Sequence, residues 1–277
     1  MPRLETVSFL SDYGLQDEFV GVCKAVIRRI APHVTVLDIC HEIPPHDVRA
    51  GSLALARAAQ YLPAGVVLGI VDPGVGGERR AVAVEVSGGE GGEGAEGTAV
   101  FVGPDNGVLA SAVALAGGAG RAVALTNSEY HLPAPGPTFA GRDIFAPAAA
   151  YLCSGVDLAE LGEAVDPLTL LPGILPLTRA ENGRVVGEVL WVDRFGNVQL
   201  NVDPAELEPM GDAITLRFGD QVRTAVRALT YDELGPGQIG LVVDSYGLVS
   251  VALARRSAAD ELRLSAPTEV SLEAAAT

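Results

Sequence analysis

Short runs rich in β-branched residues, each closed by turn-forming residues, recur through the first part of the chain: TVSFLSD (6–12), VTVLDIC (34–40), GVVLGIVD (65–72), AVAVEV (81–86) and AVFVGPD (99–105). Their length and composition predict strands. Between the first two, DEFVGVCKAVIRRI (17–30) places Phe19, Cys23, Val26, Ile27 and Ile30 at helical spacing, with Asp17 as the expected cap. VRAGSLALARAAQYL (48–62) reads as a second helix, capped by Asp47. Strand–helix alternation of this kind predicts an α/β domain with a largely parallel sheet, whose ligands sit beyond the carboxyl ends of the strands. Asp12 and Asp72 stand at two such ends, where an aspartate either meets a ligand or caps the next turn.

The texture changes after Leu170. LLPGILPLT is proline-punctuated, and beyond it RVVGEVLWVD, VQLNVD, AITLRF, VRTAVRAL, IGLVVDS and LVSVALA carry almost no helical signal. Strands this short and this closely spaced predict a small all-β barrel or sandwich. The expected organisation is an α/β domain over 1–170, a linker over 171–182 and a barrel-like domain over 183–277. GGEGGEGAEG (88–97) reads as an acidic hairpin tip, and SLEAAAT (271–277) as a frayed end.

Composition narrows the partners. A net charge of −16 opposes binding to nucleic acid or an anionic membrane surface, though by itself it mostly serves solubility. No apolar run approaches the roughly 18 residues that span a bilayer, and MPRLETVSFL enters a strand pattern without the apolar core of a signal peptide. A cytoplasmic protein is expected. Cys23, Cys40 and Cys153 lack metal-ligand spacing and read as small buried hydrophobes.

Several motifs fail on their context. GPGQIG (235–240) matches G-x-G-x-x-G, but a strand pattern follows it, so no helix N-terminus is offered to a phosphate. The four histidines lack zinc spacing, and the prolines of HEIPPHD (41–47) predict a loop there.

Seven segments point together in one direction: SDYGLQDEFVGVCK (11–24), VTVLDICHEIPPHDV (34–48), VDPGVGGERRAVAVE (71–85), FVGPDNGVL (101–109), PTFAGRDIFAPAAAYL (137–152), VDRFGNVQLN (192–201) and SYGLVSVALARRSAADEL (245–262). In this order they resemble the S-adenosylmethionine hydroxide adenosyltransferases, relatives of the fluorinases and chlorinases. The resemblance implies cleavage of S-adenosylmethionine to adenosine and methionine by water or hydroxide attacking C5′, with no cofactor, since S-adenosylmethionine is the substrate. It also implies a homotrimer with pockets between the α/β domain of one subunit and the barrel of the next.

Site residues follow from the same resemblance. An Asp, an Arg and a His surround the water in this family; the first two fall on Asp72 and Arg79, whose competing account is an ion pair that closes a loop at the sheet end. The motif TFHGRD reads TFAGRD here, so Ala140 stands at the expected histidine. An alanine side chain neither accepts a proton nor holds a water. Asp12 is assigned to the ribose hydroxyls, Asp17 and Asp193 to the methionine ammonium, and Ser245 and Tyr246 to its carboxylate. Phe195 would stack on adenine with Asn197 at its polar edge, Tyr231 as another aromatic wall, and Arg255 nearby through its backbone. Thr138 and Phe139 would line the C5′ cavity, Arg142 and Asp143 would start the following helix, and His131 lies nine positions before Ala140. The implied function is a hydrolase slowed by Ala140. The alternatives are a chloride-using enzyme, which the negative charge of Asp72 opposes, and a non-catalytic S-adenosylmethionine or adenosine binder.

Overall fold

The computed structural model describes residues 4–86 and 99–275. The glycine-rich stretch expected as a hairpin tip lies outside the described residues. The chain divides into two compact units, 1–174 and 175–277.

Unit 1 is an α/β domain. Its strands are β1 (Thr6–Ser11), β2 (Thr35–Cys40), β3 (Val66–Ile70), β4 (Ala81–Val86), β5 (Ala99–Pro104), β6 (Ala119–Ala124) and β7 (Glu163–Val165). They form one sheet in the order β2-β1-β3-β5-β4-β6-β7. β1, β2, β3, β5 and β6 run one way, and β4 and β7 run against them. β1 and β3 lie inside the sheet, and every residue of β3 is buried. A strand covered on both faces has no polar side to show, which is why VVLGI is a continuous apolar run. The strand alternation sends Val7, Phe9, Leu68 and Ile70 to one face and Leu10, Val67 and Val71 to the other.

Helices α1 (Phe19–Ile30), α2 (Val48–Ala59), α3 (Ala110–Leu115) and α4 (Ala146–Cys153) cover these two faces. α1 and α4 share the first core, and α2 and α3 the second. α1 buries Val20, Cys23, Val26 and Ile27. Asp17 does not cap it: Glu18 is already in the helical conformation and its carbonyl accepts the first intrahelical bond, from Val22 N. Asp47 does cap α2, accepting from Ala50 N at 2.8 Å. Cys23 and Cys153 are buried, and burial pushes both thiols up to about 12. They behave as core apolar groups.

Unit 2 contains β8 (Arg179–Glu181), β9 (Arg184–Val192), β10 (Val198–Leu200), β11 (Ala213–Phe218), β12 (Gln221–Ala228), β13 (Ile239–Val243), β14 (Val249–Leu253) and β15 (Glu269–Ala274), with a short helix α5 (Ala258–Leu262). The ring β10-β14-β13-β12-β11-β15-β9 closes on itself through a β9–β10 pairing, giving a barrel with β8 added at one edge. The closing segment corrects an expectation. Residues 271–274 are not frayed but belong to β15, which joins β11 to β9 and buries Val270 and Leu272. Without this strand the ring would have two open edges. Among the described residues no helix is long and apolar enough to cross a membrane.

Candidate active site

Loop residues beyond the carboxyl ends of β1 and β3 build the first constellation. Asp72 follows β3 and is forked by Arg79, whose Nε donates to Oδ1 at 2.8 Å and whose Nη2 donates to Oδ2 at 2.5 Å. The two side chains are 6% and 15% exposed, Asp72 the more buried. The Arg79 guanidinium also lies over the Phe145 ring, 5.3 Å from its centroid. A bidentate pair of this kind fixes both charge and direction. Asp12, at the end of β1, accepts from His46 N at 2.9 Å, and the backbone at His46 is held in the left-handed region, φ 69°.

Tyr13 lies among these groups. Burial, more than anything else, pushes its phenol far above the ordinary value; Cys23, Asp12 and Asp72 push the same way and Arg79 opposes them. The hydroxyl therefore stays protonated and available as a donor. It rests against Gly141, where a Cβ would come within 2.2 Å of the Tyr13 oxygen. Only glycine fits at that point. Gly141 opens a wide π-helical turn, Gly141–Phe145, which runs into α4 with Pro147 in its first turn. Arg142 and Asp143 are thus in this turn, one element before the α-helix, and are paired at 2.6 Å. Turns of this type are frequent at functional sites because they re-aim side chains within a helix.

The segment before the turn carries Thr138, Phe139 and Ala140. Phe139 meets Tyr13 and Phe19 edge-on, with ring centroids 5.7 and 5.0 Å apart, and the Arg142 guanidinium lies 5.1 Å from its centroid. Thr138 and Asp17 are exposed. Ala140 is buried, and with Arg79, His131, Asp143, Ile144 and Gly76 it lines a cavity of about 470 Å³. The structure thus brings Asp72, Arg79, Phe139 and Ala140 into one neighbourhood around Tyr13 and the π-turn.

A second constellation lies on unit 2. Asp193 Oδ1 accepts from Phe195 N and Asn197 N, and Oδ2 from Asn197 Nδ2, all at 2.8 Å. This turn presents Phe195, 79% exposed. Gly196, φ 83°, packs so closely on Ser257 that a Cβ would come within 2.1 Å of its hydroxyl. Asp244 anchors the neighbouring loop, accepting from Tyr246 N at 2.8 Å and from Gln199 Nε2 at 2.6 Å. Tyr246 meets Trp191 edge-on at 6.4 Å. Burial raises the Tyr231 phenol, and Asp193 and Asp244 add to the rise, which puts Tyr231 in the field of both turns. Ser245 is exposed in the Asp244 loop, and Arg255 is exposed with a left-handed backbone, φ 55°.

Tyr13 and Asp244 were not singled out in the sequence, although each adjoins a named residue. Another group has a catalytic look: Ser11 Oγ lies 2.8 Å from His41 Nδ1, and His41 Nε2 lies 3.1 Å from Asp38 Oδ1. Ser11 is wholly buried, so no substrate reaches its oxygen. The chain of bonds instead secures the turn bearing Asp12, since Gly14 N also donates to the His41 carbonyl at 2.7 Å.

Comparison with known proteins places this geometry. Residues 7–162 match the model of the SAM hydroxide adenosyltransferase N-terminal domain, and residues 187–271 that of the corresponding C-terminal domain. The chain belongs to the SAM hydroxide adenosyltransferase family. A protein of Salinispora tropica named (R)-S-adenosyl-L-methionine hydrolase is 45% identical over 92% of this chain and 93% of its own. A fluorinase of an Actinoplanes species is 30% identical over 91% of each. A crystal structure of an uncharacterized conserved protein from Thermotoga maritima superposes with a TM-score of 0.85 at 34% identity, covering 96% of this chain and 99% of that one. All the residues named above as site candidates of this adenosyltransferase-family chain fall within the two matched segments.

Proposed function

We propose that this chain hydrolyses S-adenosylmethionine to adenosine and L-methionine, by in-line attack of water or hydroxide at C5′. The observation that carries this reading is the half-buried Asp72–Arg79 fork beside the cavity that Ala140 lines. The substrate's sulfonium leaves as a neutral thioether, so no acid is needed at the leaving group. What the reaction needs is an oriented nucleophile with hydroxide character. Arg79 supplies positive potential for it, and Asp72 fixes the guanidinium and orients the water. Relatives named as hydrolases at this identity support the same chemistry.

Asp12 holds the ribose hydroxyls, its carboxylate keeping lone pairs beyond the one that His46 N uses. Phe195 stacks on adenine, with Tyr231 as a further wall. Asn197 reads the base edge with its carbonyl and the amide hydrogen that Asp193 does not engage. Asp17 and Asp193 face the ammonium, Ser245 and Tyr246 the carboxylate, and Arg255 lends backbone atoms at the adenine side. Thr138 and Phe139 flank C5′. No cofactor takes part, and the active assembly is a homotrimer. Ala140 leaves the site without the histidine its motif calls for, and turnover is lowered accordingly.

The test is incubation with each sulfonium epimer of S-adenosylmethionine, with and without chloride, following adenosine, methionine and chlorinated nucleoside. The Ala140→His variant is run beside the wild type. Adenosine and methionine in equal amounts, formed faster by Ala140→His, is the expected result; a positioned acid–base group is worth on the order of 10²–10⁴ in rate. Binding without product in both proteins would favour a non-catalytic binder, the reading that Ala140 itself suggests. A chlorinated nucleoside would overturn water as the nucleophile.

A further inference from the structure

His131 lines the same cavity as Ala140 and Arg79. Prolines 133, 135 and 137 punctuate the loop between the two positions, and residues nine apart in the sequence line one cavity. The placement is built, not incidental. Leu132 N donates to the Asp143 carbonyl at 2.9 Å, which ties the residue after His131 to the π-turn that follows Ala140. His131 ends a short 3-10 turn, Ser128–Tyr130, that Asn127 caps, and the Asn127 amide donates to the Glu160 carbonyl at 2.8 Å. Tyr130 is held by Glu160 and by the Tyr151 ring. The Leu125 backbone lies near enough to favour the protonated imidazole. A neutral imidazole carries one N–H donor and one acceptor nitrogen.

We propose that His131 is the catalytic base of this chain, taking the proton from the attacking water in the cavity where Ala140 has no group to take it. The inference rests on the hydrolase reading above. In the step, the water oxygen forms a bond to C5′ as the C5′–S bond breaks, and that electron pair returns to sulfur to give methionine. The water's proton goes to the acceptor nitrogen of the neutral imidazole and passes from there to solvent. One sulfonium cation and one water give adenosine, methionine and one proton, so nothing further is required.

The charge environment suits a neutral base. Burial pushes His131 below the ordinary imidazole value, with the Leu125 backbone acting in the opposite direction. Arg79 and Asp143 line the same cavity, with Asp72 paired to Arg79 and Arg142 to Asp143. Glu129 and Tyr130 are on its own turn, and Glu160 accepts from Tyr130. The neutral ring is the working form. The rate therefore falls as pH drops through a value below the usual imidazole pKa, and is flat above it.

The experiment is steady-state adenosine release from pH 4.5 to 9 by wild type, His131→Ala, His131→Gln, Ala140→His and the double variant Ala140→His/His131→Ala. His131→Ala should lower kcat about 100-fold, the low end for an acid–base group, leave KM within about twofold, and remove the acid limb of the pH profile. His131→Gln keeps a polar, hydrogen-bonding side chain but no base; an equal loss there, with wild-type thermal stability, shows that the loss is of proton transfer and not of folding. With a histidine restored at 140, removing His131 should cost less than about threefold. Retention of wild-type kcat and acid limb in both His131 variants would overturn the proposal, as would an equal loss in the Ala140→His background. Absence of adenosine from wild type and Ala140→His alike is a different failure, that of the hydrolase reading itself.

Discussion

In unit 1 the Asp72 side chain is 6% exposed and its two oxygens are committed to Arg79, while in unit 2 the Phe195 ring is 79% exposed and held only through the backbone turn beneath it. Both are site candidates, yet the physics of holding them differs. A charged pair in a half-dry environment is organised before any ligand arrives, and the protein bears its desolvation cost in the folded state. An exposed aromatic costs the fold almost nothing and gains its contact area only when something stacks on it. Substitutions in the first region should therefore change rate and stability together, and those in the second should change affinity alone.

The sharpest way to break this contrast is Arg79→Ala. It leaves the Asp72 carboxylate without its fork, and removing one partner of a buried pair costs about 3–5 kcal/mol, nearer the lower figure here because Arg79 is partly exposed. Urea denaturation should show that loss, and adenosine release should fall at least 10³-fold as the positive potential at the cavity goes. An unchanged midpoint would mean that the pair is a surface contact and not an organised device. Next in size is Gly141→Ala. Its Cβ would meet the Tyr13 oxygen at 2.2 Å, so the turn or the phenol must move, at about 1–3 kcal/mol in thermal melts. Tyr13→Phe in the same chain should recover part of the loss by removing the oxygen.

The units also differ in how much of them could be read in the sequence. β1, β3 and the inner face of α1 were legible because burial on a sheet or helix face imposes a period on the residues themselves. β15 was not. Its alternation, Val270 and Leu272 inward, spans too few residues to stand out beside a tail of small residues, and what makes it a strand is the ring closure between β11 and β9. The Asp72–Arg79 pair was legible through its motif, and the contact between them followed. The company of His131 and Ala140 was not, since a proline-rich loop has no period from which its return path can be inferred. Asp17 failed as a cap because helix entry is decided by the backbone at Glu18, which no residue type at 17 announces.

On the unit 2 side, Phe195→Ala should leave stability within about 0.5 kcal/mol of wild type, as exposed positions do. It should raise KM roughly tenfold, since stacking of a base on an aromatic ring is worth on the order of 1–3 kcal/mol. Calorimetric melting and titration with S-adenosylmethionine together check both halves. A large drop in melting temperature would place the ring in a packed role and erase the contrast.

The smallest effect gives the most selective reading of the two units. Trp191, the single tryptophan, is in the barrel, and all three cysteines are in unit 1. With half-buried Cys40 changed to serine, thiol labelling reports only the opening of the core that holds Cys23 and Cys153. Burial raises both thiols to about 12, so the folded protein keeps protons there that the unfolded chain releases above about pH 9. Because the folded state binds more protons in that window, stability is full below it and falls as pH rises through it, by up to about 1.4 kcal/mol per pH unit for each thiol. Labelling in a urea series at pH 8 and pH 10 should show the unit 1 transition moving to lower urea at the higher pH, with Trp191 fluorescence moving less. Arg79→Ala should shift the thiol transition and leave the Trp191 transition in place, because among the described residues the core clusters of unit 1 share no residue with those of unit 2. Coincident transitions in every condition would show instead that the two cores melt as one cooperative body.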